Sequence, residues 1–438
     1  MLRIAQSFWS RHRTVIIALI LLQAVALFML ATEKGFRRDE KVHSKMIKRI
    51  YSDKIQSQAD FENLTNIPGY HYAVAYVARG VQVIAHPFGK YPKQRHIRYI
   101  SATVFGTLLV LGVYVLVRTT GRAEEEMFTV LTLPLVFLFT FVVYTDIPAI
   151  ALFLLAVALA YKRHHWVAAG LFALTLLVRQ DMVIYIAATV VAFMLADIYE
   201  RVRIPTQRRH WIALLQRVGS LQFLLRYLPY GLVMSAFAGF VVINGGVALG
   251  DKSAHPAGAL HWGNIYFFLL CFAVLFLPLV VASVPDIVRN ISRLSRMQKV
   301  GLVLLILAGW FFYDKTFVID HAYNFVTAER FLHNDVLIAI ATVPLARGVS
   351  YAIILAALGA LFTLQWRNTA LVLLWTGATV TSLALHWLIE PRYSLPGLLA
   401  VIALAHIPQK LLRIQILYSV VLCIIVYSVF IMHDAIFL

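Results

Sequence analysis

The chain has 438 residues, of which 61% are hydrophobic and only 14% are charged, and its mean hydropathy is +0.78. This composition excludes a water-soluble globular protein, because it is far too apolar and contains stretches long enough to cross a bilayer. The net charge is +18, but no soluble domain remains that could bind nucleic acid. Both cysteines, Cys271 and Cys423, lie in apolar segments, which excludes a disulfide framework and a cysteine metal site.

The first predicted element is an apolar segment at residues 14–31, which follows the basic residues Arg11 and Arg13. No small-residue cleavage site follows it, so we expect a retained transmembrane helix. Further apolar windows predict an all-α polytopic membrane protein of about 13 spans in a single transmembrane domain, residues 1–438. The spans are predicted at residues 14–31, 97–117, 127–144, 147–161, 166–178, 182–197, 227–247, 264–284, 300–318, 350–365, 369–389, 394–407 and 414–432.

The basic residues predict the orientation of these spans. With the N-terminus in the cytoplasm, 20 of the 39 lysines and arginines fall in inside segments, and the outside loops after the first hold few. Residues 32–96 are basic but form a long loop, and long loops follow this rule weakly. We therefore expect this stretch to be a first extracytoplasmic loop.

Two stretches of that loop are predicted to form amphipathic helices on the outer membrane surface. KVHSKMIKRIYSDKI, residues 41–55, carries apolar residues at near-helical spacing among lysines and arginines. GYHYAVAYVARGVQVI, residues 69–84, is apolar but is interrupted by Arg79. The apolar residues of the first stretch are Val42, Met46, Ile47, Ile50 and Ile55.

Six polar motifs all fall on the outer side under this orientation. Ionisable residues that meet at the ends of transmembrane helices predict a polar cavity at the membrane interface. The motifs are FRRDEKVH at 36–43, TDIP at 145–148, VRQD at 178–181, GDKSAHPAGALH at 250–261, DHAYNFVTAERFLHND at 320–335 and EPRY at 390–393.

Several of these residues also have structural interpretations. Glu390 beside Arg392 is compatible with a simple interfacial ion pair, and Asp146 is predicted to be a helix N-cap. Three histidines near the motifs lack the spacing of zinc ligands, so hydrogen-bonded histidines are favoured over a metal site. These histidines are His255, His261 and His321.

Asp39 and Glu40 are the strongest candidates for chemistry. A carboxylate at the membrane boundary among arginines and a histidine can act as general base for a sugar hydroxyl while the cations hold a phosphate leaving group. Such an arrangement fits an inverting transfer from a phosphate-linked donor. The chain has no DxD motif for a divalent metal, so lysines and arginines would neutralise the phosphate, and we expect no cofactor.

These motifs resemble those of the GT-C superfamily of polyprenyl-phosphate-sugar glycosyltransferases. The closest resemblance is to the eukaryotic family that adds the terminal α-1,2-linked glucose to a lipid-linked oligosaccharide from dolichyl-phosphate-glucose. The order of its motifs is kept, although Asp181 replaces a threonine and a DNRH-like stretch is only loosely matched by AERFLHN. The family motifs of MDE, PGxY, RQT, GDRSSHE and E-RY type correspond to RRDEKVH, NIPGYHY, VRQD, GDKSAHP and EPRY.

The resemblance implies a GT-C-type fold and assigns roles to single residues. Asp39 would be the catalytic base, with Glu40 as the second candidate. Arg179 and Gln180 would line the cavity. The residues that would hold the donor phosphate are Lys252, His255, Arg330 and Arg392. The remaining substrate-binding candidates are Arg38, His43, Asp251, Glu390 and Tyr393.

The expected partners are a polyprenyl-phosphate-linked sugar donor, a glycan or lipid acceptor and the bilayer itself. Two alternatives stay open: a polysaccharide ligase or polymerase that uses a pyrophosphate-linked donor, and a transporter of lipid-linked sugars. The outer loop carries the sequon Asn63-Leu64-Thr65, which matters only in a eukaryotic secretory compartment. The short loops favour a prokaryotic plasma membrane over the endoplasmic reticulum, with the active site on the extracytoplasmic side.

Overall fold

A computed structural model describes residues 2–31, 39–62, 64–86, 91–199, 218–250, 260–325 and 332–432. These residues are largely helical, and the β contact within them is an isolated antiparallel bridge between Trp366 and Ala405. The predicted all-α class is therefore confirmed. Backbone contacts divide the chain into two compact units: residues 1–127 with 139–254, and residues 128–138 with 255–438.

The first unit is built around a long apolar helix, α4. This helix packs against α1 and α7, α7 packs on α8, and the shorter α2 and α3 pack on each other and, through α3, on α4 and α8. Fully buried alanines such as Ala149 and Ala156 on α7 allow helix backbones to approach closely. The helices are α1 (Leu2–Ala31), α2 (Asp39–Tyr51), α3 (Gly69–Ala85), α4 (Gln94–Thr119), α7 (Asp146–Tyr161), α8 (His165–Val178), α9 (Val183–Tyr199) and α10 (Leu221–Asn244).

The second unit packs its helices around α11 and α15. The α15 helix contacts α11, α12, α13 and α14, and α16 contacts α11 and α17. Two short helices, α5 (Glu124–Leu131) and α6 (Pro134–Thr140), follow α4 in the chain. Residues 128–138, which run from the second half of α5 into α6, belong to this unit. Its other helices are α11 (Gly263–Leu275), α12 (Leu277–Ser292), α13 (Arg296–Thr316), α14 (Leu332–Thr342), α15 (Pro344–Thr363), α16 (Thr369–Ala384), α17 (Leu395–Leu404) and α18 (Gln409–Met432).

Two predicted spans are not continuous helices. The span at 127–144 is divided into α5 and α6 before Pro134, and its helix ends at Thr140. The span at 264–284 is divided at Phe276, where α11 and α12 meet at 95°. Proline lacks the N–H that continues a helix and disfavours helical geometry in the residue before it, and Pro134 and Pro278 follow the two breaks.

The predicted count of 13 spans is not confirmed. In the described ranges six helices are long and apolar enough to cross a membrane, or seven if the bent pair counts as one span. Only 6% of the most apolar window of α13 is buried, so large side chains such as Leu304, Leu305 and Phe311 are exposed. Such apolar exposure along a full-length helix is what lipid requires, and the chain is a multi-pass integral membrane protein.

The two stretches predicted to be amphipathic helices form the helices α2 and α3. On α2, Met46, Ile47 and Ile50 are buried within the protein, whereas Val42 is 39% exposed and Ile55 lies beyond the end of the helix at Tyr51. The prediction of one apolar face was therefore too broad at both ends.

Arg79 interrupts the apolar pattern of α3 for a structural reason. Its Nε donates to the Tyr51 carbonyl at 3.0 Å and its guanidinium contacts Asp53 at 2.6 Å. A cation placed on the last carbonyls of a helix satisfies them and is favoured by the helix dipole. Arg79 therefore caps α2 and joins it to α3.

Candidate functional site

The start of α2 is held in place by a buried ion pair. Asp39 is the first residue of this helix, and Glu40, the next, is completely buried. Arg98 on α4 donates to both carboxylate oxygens of Glu40, from Nε at 3.0 Å and from Nη2 at 2.5 Å. The Val143 backbone N–H donates to the same carboxylate at 2.8 Å. Three donors from two distant segments thus fix the position of the first turn of α2.

This geometry favours a positioning role for Glu40 over that of a base. A general base must reach the proton it removes, and both oxygens of Glu40 accept hydrogen bonds within the protein. Asp39 is the remaining candidate in the motif, although its side chain lies outside the described part of the structure. Arg98 was not recognised from the sequence, although a charged residue in the first turns of an apolar helix is an available signal.

A second buried contact joins α2 to α3. His43 Nδ1 lies 2.8 Å from His71 Nε2, and both rings are buried. The His43 ring also lies edge-on to Tyr144, with the ring centroids 5.8 Å apart. His43, predicted to bind substrate, is therefore packed within the first unit, and His71, a residue of NIPGYHY without a predicted role, is its partner.

His71 is expected to make the protein sensitive to acid. Burial lowers the pKa of His71 well below its usual 6.5, and His43 lowers it further, against the opposing effect of the Pro68 carbonyl. The folded state therefore keeps His71 neutral, while the unfolded chain binds a proton below pH about 6.5. Stability is thus complete above that pH and falls below it, by up to about 1.4 kcal/mol per pH unit.

Thermal unfolding of the detergent-solubilised chain at pH about 7.5 and about 5.5 checks this expectation. The unfolding temperature should fall on acidification, and the fall should shrink in His71→Gln, which keeps a hydrogen-bonding side chain but does not titrate. The exposed His164, replaced by glutamine in the same way, should leave the fall unchanged. An acid response of His71→Gln as large as that of the unsubstituted chain would contradict the assignment.

Arg179 of VRQD lies in a mostly buried cluster with two acidic residues. Its Nη1 forms an ion pair with Asp146 Oδ1, and its Nε donates to the two oxygens of Asp181 at 2.8 and 2.9 Å. Asp146 is the first residue of α7, and the N-cap position belongs to Thr145, whose side chain makes no capping bond. The predicted N-cap role of Asp146 is therefore wrong, because Arg179 binds its carboxylate instead.

Two of the sequence motifs meet at one loop of the first unit, at residues 61–62 and 64–66. Gln180 of VRQD directs its Nε2 to the Thr65 carbonyl at 3.5 Å, and the Leu249 N–H donates to the same oxygen at 2.9 Å. Gly250, which begins GDKSAHP, donates its N–H to the Leu64 carbonyl at 2.8 Å. A Cβ on Gly250 would lie 2.5 Å from backbone oxygens, so only glycine permits this contact.

The glycine of NIPGYHY also allows a close approach. A Cβ on Gly69 would lie 2.6 Å from the Leu177 carbonyl, which directly precedes VRQD. The first turn of α3 therefore packs closely against the last turn of α8 at Leu177, and this contact brings the motifs NIPGYHY and VRQD next to each other. Five predicted residues lie outside the described residues: Arg38, Asp251, Lys252, His255 and Arg330.

In the second unit EPRY forms a compact turn. Arg392 contacts Glu390 through Nε, and its guanidinium lies 5.5 Å from the centroid of the Tyr393 ring. His386 stacks on Tyr393 with the ring centroids 4.0 Å apart. Glu390 and Arg392 thus form an ion pair, and the aromatic contact adds a second restraint on the orientation of the guanidinium.

Two buried asparagines hold the strand-like segment before this turn. Asn324 donates to the Ile389 carbonyl at 2.9 Å and accepts from its N–H at 3.1 Å. Asn264 donates to the Leu388 carbonyl at 2.9 Å and accepts from the Glu390 N–H at 3.3 Å. Each amide therefore copies the pairing of a neighbouring β-strand and places EPRY at a fixed position.

The two described histidines of the motifs in the second unit, His261 and His321, have aromatic or hydrogen-bonding partners. His321 accepts a hydrogen bond from the Tyr323 N–H at 3.1 Å, and its ring lies 4.6 Å from Trp387. His261 stacks on the same tryptophan at 6.1 Å. Across the part of the chain that the structure describes, no three histidine, cysteine or acidic residues are grouped as a metal site.

The chain is similar to proteins named Dol-P-Glc:Glc(2)Man(9)GlcNAc(2)-PP-Dol alpha-1,2-glucosyltransferase. The Mus musculus protein is 25% identical over 242 residues, which cover 49% of this chain and 51% of that protein. The Drosophila melanogaster protein is 26% identical over 204 residues, covering 42% and 43%. The Rattus norvegicus protein is 34% identical over 104 residues, covering 24% and 21%.

The chain thus spans about half the length of the first two relatives, or less. No solved structure matches it. A family model described as the DIE2/ALG10 family matches residues 39–403, which is most of the chain and includes every motif from Asp39 to Tyr393. The resemblance noted from the motifs is confirmed by this match. The chain belongs to the DIE2/ALG10 family.

Proposed function

We propose that the chain is an inverting glycosyltransferase that moves glucose from a polyprenyl-phosphate-linked donor to a glycan acceptor. The observation that carries the proposal is the family match over residues 39–403, whose relatives are named for a dolichyl-phosphate-glucose donor and a lipid-linked oligosaccharide acceptor. The buried anchor of Glu40 supports it further, because it fixes the residue next to the proposed base.

In the proposed mechanism Asp39 removes the proton from the acceptor hydroxyl as that oxygen attacks the anomeric carbon of the donor. The new glycosidic bond forms while the bond between the anomeric carbon and the phosphate oxygen breaks. Polyprenyl phosphate leaves with the electron pair, the proton stays on Asp39, and the anomeric configuration is inverted.

Cations would stabilise the charge that develops on the leaving phosphate. Lys252, His255 and Arg330 are proposed for this role on the resemblance, and Arg392 is proposed on its geometry as well. Glu390 and Tyr393 restrain the Arg392 guanidinium, so it needs little reorganisation when an anion binds. No divalent metal is part of this proposal.

The fold and the membrane side belong to the same proposal. We infer a GT-C-type arrangement with the site on the extracytoplasmic side, and the distribution of lysines and arginines over the predicted segments supports this side. The relatives come from eukaryotes, which does not favour the prokaryotic plasma membrane predicted from the sequence. We therefore propose a side of the membrane for the site and no particular cellular compartment.

The test is a transfer assay with the purified full-length chain in detergent. Radiolabelled polyprenyl-phosphate-glucose is incubated with a lipid-linked oligosaccharide, in parallel with the corresponding mannose donor and with a pyrophosphate-linked donor. We expect the label to move from polyprenyl-phosphate-glucose into a product in which the anomeric configuration of the glucose is inverted. Transfer from the pyrophosphate donor instead would support the ligase or polymerase alternative, and intact donors throughout would overturn the enzyme.

A further inference from the structure

Three segments of the first unit contact one another through a ring of polar residues. The segments are the loop before α3, the start of α7 and the turn between α8 and α9. The polar ring consists of Thr65, Asn66, Thr145, Asp146, Arg179 and Gln180.

The contacts close the ring in three steps. Asn66 Nδ2 donates to Thr145 Oγ1 at 3.1 Å, and Gln180 Nε2 is 3.5 Å from the carbonyl oxygen of Thr65, the neighbour of Asn66. The third step is the ion pair between Arg179 and Asp146. Arg179 directly precedes Gln180 in the chain, and Asp146 directly follows Thr145. None of these contacts leaves the first unit.

Two oxygen atoms of the polar ring are buried without a hydrogen-bond partner among the residues that the structure describes. Asp146 is 3% exposed, and its Oδ2 accepts no hydrogen bond, although Oδ1 is bound by Arg179. Gln180 is 2% exposed, and its Oε1 also accepts none. Buried polar atoms in native proteins are nearly always paired, so two unpaired acceptors on one ring require an explanation.

The chemistry of the two atoms selects the class of ligand. Both are acceptors and one belongs to a carboxylate, so an anion such as phosphate is repelled. A metal cation is disfavoured because the Arg179 guanidinium already binds the carboxylates of both Asp146 and Asp181, and the described residues hold no group of three histidine, cysteine or acidic side chains there. A neutral molecule with several O–H donors satisfies both atoms, and a sugar is the substrate of that kind in the proposed reaction.

We propose that Asp146 Oδ2 and Gln180 Oε1 form a subsite that accepts hydrogen bonds from hydroxyl groups of a sugar substrate. The sugar is either the glucosyl group of the donor or a residue of the acceptor glycan. The inference rests on the proposed function, and it adds Asp146, for which the sequence predicted only an N-cap, to the substrate-binding residues.

Gln180→Met tests the subsite with little risk to the fold. Methionine has nearly the shape of glutamine, and the hydrogen bond lost within the protein is the weak one to Thr65 at 3.5 Å. We expect the variant to unfold at the temperature of the unsubstituted chain or above it, because an unpaired buried acceptor is removed. The KM for one sugar substrate should rise about three- to tenfold, as expected for one lost hydrogen bond.

Gln415→Met on α18 is the matched control. Gln415 is also 3% exposed and its Oε1 also lacks a partner, but its Nε2 donates to the Leu275 carbonyl at 2.7 Å within the second unit. The substitution removes the same atoms from a comparable environment outside the polar ring. It should leave both KM values unchanged and should lower the unfolding temperature more than Gln180→Met does.

Separate titrations of donor and acceptor distinguish the two sources of hydroxyl groups, and a higher KM for either supports the subsite. A binding experiment compares the rise in unfolding temperature caused by polyprenyl-phosphate-glucose with the rise caused by polyprenyl phosphate alone. The same comparison is made between the lipid-linked oligosaccharide and its lipid pyrophosphate without the glycan. A sugar-dependent rise that Gln180→Met loses and Gln415→Met keeps supports the subsite even if no transfer occurs, in which case the proposed function fails alone. Unchanged KM values and unchanged rises in Gln180→Met would overturn the subsite and leave a buried water as the partner.

Discussion

Replacement of Asp39 with asparagine is expected to lower the rate of glucose transfer by a factor of about 10²–10⁴. Asparagine keeps the size of the side chain and its capacity to accept a hydrogen bond, but it does not take up a proton from the acceptor hydroxyl. Because Asp39 begins α2 and Glu40 supplies the buried anchor of that turn, the substitution should leave the fold intact. The measurement is the initial rate at saturating donor and acceptor.

Asp53→Asn is the matched control for this experiment. Asp53 lies two residues beyond the end of α2, and its side chain is 84% exposed and paired with Arg79. The same chemical change there should leave the rate within about twofold, since exposed ion pairs contribute little. A rate near that of the unsubstituted chain in Asp39→Asn, with equal unfolding temperatures in all three proteins, would remove Asp39 as the base.

Helix positions were predictable from apolar runs, but their breaks were not. Pro134 and Pro278 follow breaks, whereas Pro229 and Pro285 lie inside α10 and α12 without ending them. A freed carbonyl in a membrane helix is tolerated when neighbouring groups satisfy it, and those neighbours are set by tertiary packing. Proline in the sequence therefore marks a possible break, and the packing decides.

The motifs of the site were also visible in the sequence, while their pairing was not. RRDEKVH identified both carboxylates, but the partner of Glu40 lies 58 residues away on α4. The distribution of charged residues along the sequence does not show that Arg98 pairs with Glu40. Only the folded chain shows that Glu40 is buried and neutralised by this arginine. The proposed difference in role between Asp39 and Glu40 therefore rests on burial rather than on residue type.

Asn264 and Asn324 illustrate the same limit in the second unit. Their side chains replace backbone pairing for the segment before EPRY, yet asparagine in an apolar chain gives no indication of which backbone it will bind. Gly69 and Gly250 are different, because a glycine within a short polar motif is a recognisable signal for a close backbone approach, and the structure contains that approach at both positions.

Arg98→Met is expected to have the largest effect on stability, a loss of about 3–5 kcal/mol in the free energy of unfolding. The substitution removes the guanidinium that pairs with the completely buried carboxylate of Glu40 and leaves the bond from the Val143 N–H in place. Unfolding in mixed detergent micelles measures the loss. Arg289→Met is the control: Arg289 pairs with Asp286 on the exposed surface of α12, where an ion pair contributes at most about 1 kcal/mol.

The double variant Arg98→Met with Glu40→Gln separates the buried charge from the packing of the arginine. Glutamine is neutral, and its Oε1 still accepts the hydrogen bond from the Val143 N–H. We therefore expect the double variant to recover at least about half of the stability lost by Arg98→Met, because an unpaired buried charge costs more than an unpaired amide. Equal losses in the single and double variants would show that Arg98 stabilises α4 by its own packing, and the anchor that positions Asp39 would then have to be sought in the His43 and His71 contact instead.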